Sequence, residues 1–174
     1  MTRKKKISVS LVRDLEQTHS ETLEKADRFY EILIKLRYEG KVSLGKNCRD
    51  AKEVLKFFSG EHHQHMECEE RIIFPFLKTH VPKLESIIHL LLAEHRDFKR
   101  NLLIFEHSIH ELDKGKNDSE RATILEKIKE VGTYLIYLLK SHNQFESASV
   151  YKVIDQELHP DEVEEIEKQI RRAG

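Results

Sequence analysis

Cysteine, proline and glycine are all scarce in this chain, and neither sign of charge is in excess. Only Cys48 and Cys68 occur in 174 residues, in no CxxC arrangement. That leaves no disulfide framework and no thiolate zinc site. Six glycines and three prolines fall far below the roughly 12% of average composition, which argues against a turn-rich β fold. Thirty Lys and Arg stand against 31 Asp and Glu, for a net charge of -1. No global basic field exists to hold nucleic acid or an anionic membrane, so neither is an expected partner. The longest apolar runs, IIHLLLA and YLIYLL, are each broken within eight residues, against the ~20 needed to span a bilayer. The opening MTRKKKISVSLVRDLE has about six weakly apolar residues before Arg13, short of a signal-peptide core of about 7 to 15. A cytoplasmic chain is expected, with a basic tail over residues 1–9 and one domain over residues 10–174.

What is present is 35% charged and 39% hydrophobic residues, the mixture of long amphipathic helices. Val9, Leu11, Leu15, Leu23, Ala26, Tyr30 and Leu33 recur at helical spacing up to about Gly40. GKVSLGKN then reads as a loop ahead of Asp50-Ala-Lys-Glu53, a capping-box pattern. Val54, Phe57, Phe58, Ile72, Ile73 and Phe76 carry a second helix to about Thr79. Pro82 precedes a third from about Leu84 to Leu112, and a fourth runs from about Ser119 towards Ile154. Pro160 opens a short fifth helix, acidic at its start and basic at its end. The expected fold is all-α, an up-down-up-down antiparallel four-helix bundle with a short C-terminal helix.

Eleven histidines are the oddest count in the composition. His19, His65, His95 and His142 each lie on the apolar stripe of a different long helix, so each helix points one imidazole inward. His65 and His142 have Glu69 and Glu146 one turn on, close enough to reach one metal or two neighbouring metals. Unpartnered carboxylates inside an apolar bundle are costly, and bound cations relieve that cost. Counted at ~1.5 Å per residue from the shared turns, His19 and His65 lie about 29 and 23 Å away, His65 and His95 about 23 and 17 Å, and His95 and His142 about 27 and 35 Å. One layer can hold all four. His80, His89 and His159 read as solvated, and His62 and His63, close to His65 in sequence, fall outside the ligand set, a supporting role for either being the lesser alternative. Glu70 points about 100° from Glu69 and reads as an ion-pair or supporting group. Cys68 reads as an inert buried thiol.

The segment HMECEERIIFP, His65 to Pro75, resembles the HxxxEExxxFP signature of the hemerythrin-like, or HHE cation-binding, family. LEQTHSETLEKA resembles the family's first histidine helix, AEHRDFKRNL its third, and HNQFESASVYK an altered second copy of the motif, with Ser147 for the second Glu and Lys152 for the Pro. The resemblance implies two Fe ions, oxo- or hydroxo-bridged, inside a four-helix bundle. His19 and His142 would bind one iron, His65 and His95 the other, with Glu69 and Glu146 as bridges. Oxygen-carrying members place a further His where this chain has Lys99 and an Asp where it has Ser147. The remaining set of four His and two Glu is similar to di-iron proteins linked to nitric-oxide and oxidative stress and to iron-centre repair. The implied function is binding or reduction of a small diatomic or peroxide ligand, in sensing, stress response or repair. Metal binding or storage without turnover, and reversible oxygen binding, are the alternatives.

Two further histidines lie too far along the helix to join this layer. His107 and His110 lie 12 and 15 residues past His95, roughly 18 to 22 Å along the axis. His107→Ala and His110→Ala are expected to retain the full metal content of the wild-type protein. Metal loss in either variant, measured by elemental analysis, would break this helix registration.

Overall fold

The computed structural model describes residues 5–114 and 117–173, with side chains from Leu11 onward except Asp113. The first four residues of the expected basic tail lie outside the described residues. The chain is all-α among the described residues: α1 (Lys5–Tyr38), α2 (Gly40–Ser59), α3 (Glu61–Cys68), α4 (Phe74–His80), α5 (Glu85–Lys114), α6 (Asp118–Glu146), α7 (Lys152–Glu157) and α8 (Pro160–Ala173). A π-helical turn, Glu69–Ile73, joins α3 to α4, and a second, Ser147–Tyr151, joins α6 to α7. α1 packs along α2 and α6, and α5 packs along the same two helices.

The segment GKVSLGKN is helical rather than a loop. Gly40, at φ 68°, makes the turn out of α1, a conformation that glycine adopts without steric cost. Helix α2 starts at once and runs through Asp50, so the expected capping box is an interior turn in which Asp50 pairs with Lys46 at 2.7 Å. Gly45 weakens a helix by up to about 1 kcal/mol. Tertiary contacts override that: Asn47 and Cys48 are buried, Lys41 reaches Asp118 at the start of α6, and Asn47 donates to Glu39. Gly60 breaks the run before the first metal-motif helix, where a Cβ would lie 2.9 Å from the Lys56 carbonyl oxygen. Tyr30, expected in the core, is 52% exposed, and Phe29 takes the buried position.

The core is two apolar clusters rather than one. The first contains Phe29, Phe58, Phe105, Ile109 and Leu135. The second contains Leu11, Leu15, Ile72, Leu77, Leu91, Val150 and Ile154, and is closed by Val163 and Ile166 of α8. Between them lies a polar layer built from the middle of α1, α3 with its π turn, α5, and the end of α6. Buried His19, Thr22, His62, Glu69, His95, His142, Asn143 and Glu146 all belong to it. No helix among the described residues is long and apolar enough to cross a membrane.

Gly132 shows how tightly the first cluster is packed. A Cβ there would lie 2.8 Å from Leu33 and 2.9 Å from Phe105. Gly132→Val is expected to destabilise the fold by about 1–3 kcal/mol through overpacking, read as a lower denaturant midpoint at unchanged slope. An unchanged midpoint would contradict the close approach of α1, α5 and α6 at this point.

Candidate metal centre

Four helices each contribute one imidazole to the polar layer, and two of them add a carboxylate. The His19 and His65 rings are 5.2 Å apart, and the His95 and His142 rings 4.8 Å. Glu69 Oε1 is 3.0 Å from His65 Nε2, and Glu69 Oε2 is 3.6 Å from His95 Nε2. Glu146 Oε2 is 3.2 Å from His19 Nε2 and 3.4 Å from His142 Nε2. Donor atoms of His19, His65, Glu69 and Glu146 all lie within 4.8 Å of one another. The structure thus brings all six sequence-selected residues together, and each carboxylate sits between two imidazoles.

Hydrogen bonds at the outer nitrogens fix which way two of these rings face. His95 Nδ1 is 2.9 Å from Glu70 Oε1, and His142 Nδ1 is 2.8 Å from Glu94 Oε2. A carboxylate only accepts, so both Nδ1 atoms carry the proton and donate it. In neutral imidazoles that leaves a lone pair on each Nε2, and these two atoms are 3.1 Å apart. Facing lone pairs at that distance need a cation or a proton between them. In the cation-free protein a proton can take that place: His142 is pushed up to about 10, because its bonds to Glu146 and Glu94 outweigh the burial that opposes its charge. Burial lowers His95, with Glu69 opposing only in part. Burial would raise Glu146, but hydrogen bonds from His142 and His19 hold it well below the usual carboxylate range.

The carboxylates carry a second mark of a cation site. Glu69 Oε2 and Glu146 Oε1 are buried with no hydrogen-bond partner. Buried polar atoms are ordinarily paired, and buried carboxylate oxygens most of all. Nitrogen lone pairs and unpaired carboxylate oxygens converging on one layer are the donor set that a divalent or trivalent metal takes.

Several supporting residues were only partly legible in sequence. Glu70, expected as an ion-pair or supporting group, does both: it accepts from His95 and from Lys99 Nζ at 2.9 and 3.0 Å. Ser147 Oγ is 3.1 Å from His19 Nδ1. His62 is buried, bonded to Thr22 at 3.3 Å and stacked against His65, whereas His63 lies outside, near Glu67. Cys68 is half-buried, its thiol pushed up to about 11 by burial and by Glu69, which keeps it an inert thiol. His80, His89, His107, His110 and His159 are exposed.

Glu94 and Tyr151 were missed. Glu94 is adjacent in sequence to His95 yet serves His142 on the next helix, a contact no single-helix pattern contains. Tyr151 lies nine residues after His142, which on an ideal α-helix is about 180° away. The π turn after Glu146 changes that phase and swings the Tyr151 hydroxyl into the layer, where it donates to Glu69 Oε1 at 2.6 Å. Burial, then the two carboxylates, raises the Tyr151 hydroxyl well above its ordinary range. The imidazoles also group differently from the carried-over pairing: His19 faces His65, and His95 faces His142.

Carboxylates behind ligating imidazoles hold ring and tautomer in place, and their loss typically costs 10- to 100-fold in metal affinity. Glu94→Gln is expected to weaken metal binding by about that factor, measured by chelator competition. Glu67→Gln, at an exposed position, should leave it unchanged, and equal affinities for wild type and Glu94→Gln would deny Glu94 this role.

The comparisons with known proteins bear on the same helices. No curated protein matches the chain. The family model described as Hemerythrin HHE cation binding domain matches residues 10–110, more than half of the chain. The match includes His19, His65, Glu69 and His95 and stops before His142 and Glu146, which the fold delivers to the same layer. The chain belongs to the hemerythrin HHE cation-binding family.

Proposed function

We propose that this chain is a cytoplasmic non-haem di-iron protein that binds or reduces oxygen, nitric oxide or a peroxide, in sensing, stress response or iron-centre repair. Its architecture in this reading is an up-down-up-down antiparallel four-helix bundle with a short C-terminal helix, formed by residues 10–174 behind a basic tail over residues 1–9. The observation that supports a metal centre most directly is the His95–His142 pair, whose Nε2 atoms face each other at 3.1 Å while Glu70 and Glu94 hold their Nδ1 protons. Two ions rather than one are favoured by the arrangement, because each carboxylate stands between one imidazole of the His19 and His65 pair and one of the His95 and His142 pair. Imidazole and carboxylate together suit iron.

His19, His65, His95 and His142 would be terminal ligands. Glu69, with one oxygen towards His65 and the other towards His95, and Glu146, between His19 and His142, would bridge. When bound, the irons supply one-electron redox chemistry and exchangeable positions for a small ligand. The chain's own groups do the rest. Glu70 and Glu94 orient two imidazoles, and Lys99 offsets the charge of Glu70, which it holds below the usual range against the effect of burial. Apolar clusters above and below the layer exclude bulk water and so strengthen every charge interaction within it. Lys99 is committed to Glu70 and Ser147 contacts only the outer nitrogen of His19. The two positions that complete the ligand set of the oxygen carriers therefore add no inward donor here, which favours redox reaction over reversible carriage.

Anaerobic reconstitution is expected to saturate at two irons per chain, and Glu69→Ala and Glu146→Ala are each expected to lose at least one. Saturation at one metal would refute the bridged pair. Iron loading should raise stability by about 2.7 kcal/mol when free metal is 100-fold above its dissociation constant. Reduced, loaded protein mixed with oxygen in a stopped-flow cell is expected to oxidise without recovery. A spectrum that reverses under vacuum over many cycles would restore the carrier reading, and two irons inert to oxygen, nitric oxide and peroxide would leave storage.

A further inference from the structure

The two HxxxE segments are followed, five residues after the glutamate, by an aromatic ring: Phe74 after Glu69 and Tyr151 after Glu146. Each segment passes through a π turn at that point, so both rings are turned inward. Phe74 stacks on His95 with ring centroids 5.8 Å apart, and Tyr151 stacks on His19 at 4.8 Å. At this equivalent position the two sides of the layer differ by one atom, the Tyr151 hydroxyl oxygen.

That oxygen lies against the donor set. It lies 2.6 Å from Glu69 Oε1, 3.0 Å from His19 Nε2, 3.3 Å from His65 Nε2 and 3.5 Å from Glu146 Oε2, in a side chain that is 1% exposed. A phenol has one proton and two acceptor lone pairs, so it cannot serve four such neighbours as hydrogen bonds at once. Adjacent donors of a six-coordinate ion with bonds of about 2.1 Å lie about 3 Å apart. The distances from the hydroxyl to Glu69, His19 and His65 are of that size, so it is spaced as one more donor beside them.

We infer that Tyr151 is a direct metal ligand through its phenolate oxygen on the His19 and His65 side, an inference that rests on the metal reading above. Coordination exchanges the phenolic O–H bond for an O–metal bond and releases one proton to solvent, with no change in oxidation state. The centre is then asymmetric: the side carrying His19 and His65 gains a fifth protein group, while the side carrying His95 and His142 has only the apolar ring of Phe74.

Iron(III) bound by a phenolate absorbs in the visible by charge transfer from the ring, and excitation in that band enhances the tyrosine ring vibrations. Iron(III)-loaded wild-type protein is expected to show both. Four of the five tyrosines, Tyr30, Tyr38, Tyr134 and Tyr137, are 40–70% exposed, so enhanced tyrosine modes in the wild type point to Tyr151 even without a variant. Tyr151→Phe fills the same volume and is expected to keep iron while losing the band, and Tyr137→Phe to keep both. A band that survives in Tyr151→Phe, or its absence from wild-type protein that holds iron by elemental analysis, overturns the ligand assignment alone. Wild-type protein that takes up no iron overturns the metal reading and the assignment with it.

Discussion

Two carboxylates buried in the middle of a helical core are the constraint on which the rest of this structure depends. Glu69 and Glu146 are fully inaccessible, and an isolated buried carboxylate would carry a desolvation penalty of several kcal/mol. Four imidazoles stand within reach of them, two of these imidazoles are steered by further carboxylates, and one of those is neutralised in turn by Lys99. Every link from Lys99 through Glu70 to His95 exists because the one inside it would otherwise be uncompensated. The apolar clusters on either side make the layer dry, which raises both the cost of an unpaired group and the strength of a paired one.

The π turns are how two helices meet that constraint. An ordinary α-helix that aims a histidine and the glutamate four residues on into the core turns the residue five further along away from it. The wider turn after Glu69 and after Glu146 restores the inward phase, so that Phe74 and Tyr151 close the layer from the same helices that open it. Such turns are rare in ordinary helices and concentrate at functional sites. Here both occur at the equivalent point of the two motif copies, which ties them to the centre rather than to helix packing in general.

α8 contributes from outside the layer. Val163 and Ile166 cover the second apolar cluster, where they meet Leu11, Leu15 and Ile72. Without that cover the second apolar cluster would lose part of its burial on the side away from the layer. A short amphipathic helix at the C-terminus thus completes the second apolar cluster, although it supplies no donor.

The sequence by itself determined the all-α character, the inward histidines and the two glutamates, because these follow from a 3.6-residue period in which His19, His65, His95 and His142 share faces with leucine, isoleucine and phenylalanine. It also carried the family, through the specific spacing of HMECEERIIFP. It did not determine that GKVSLGKN is helical, since the local preference of its glycines is overridden by burial of Asn47 and Cys48 against other helices. Nor did it determine the position of Tyr151, because a π turn shifts the phase on which periodicity reasoning relies. The service of Glu94 to His142 and the facing of His95 by His142 were decided by tertiary structure alone: both are contacts between helices, and the spacing of residues along one helix holds no information about the register of its neighbour.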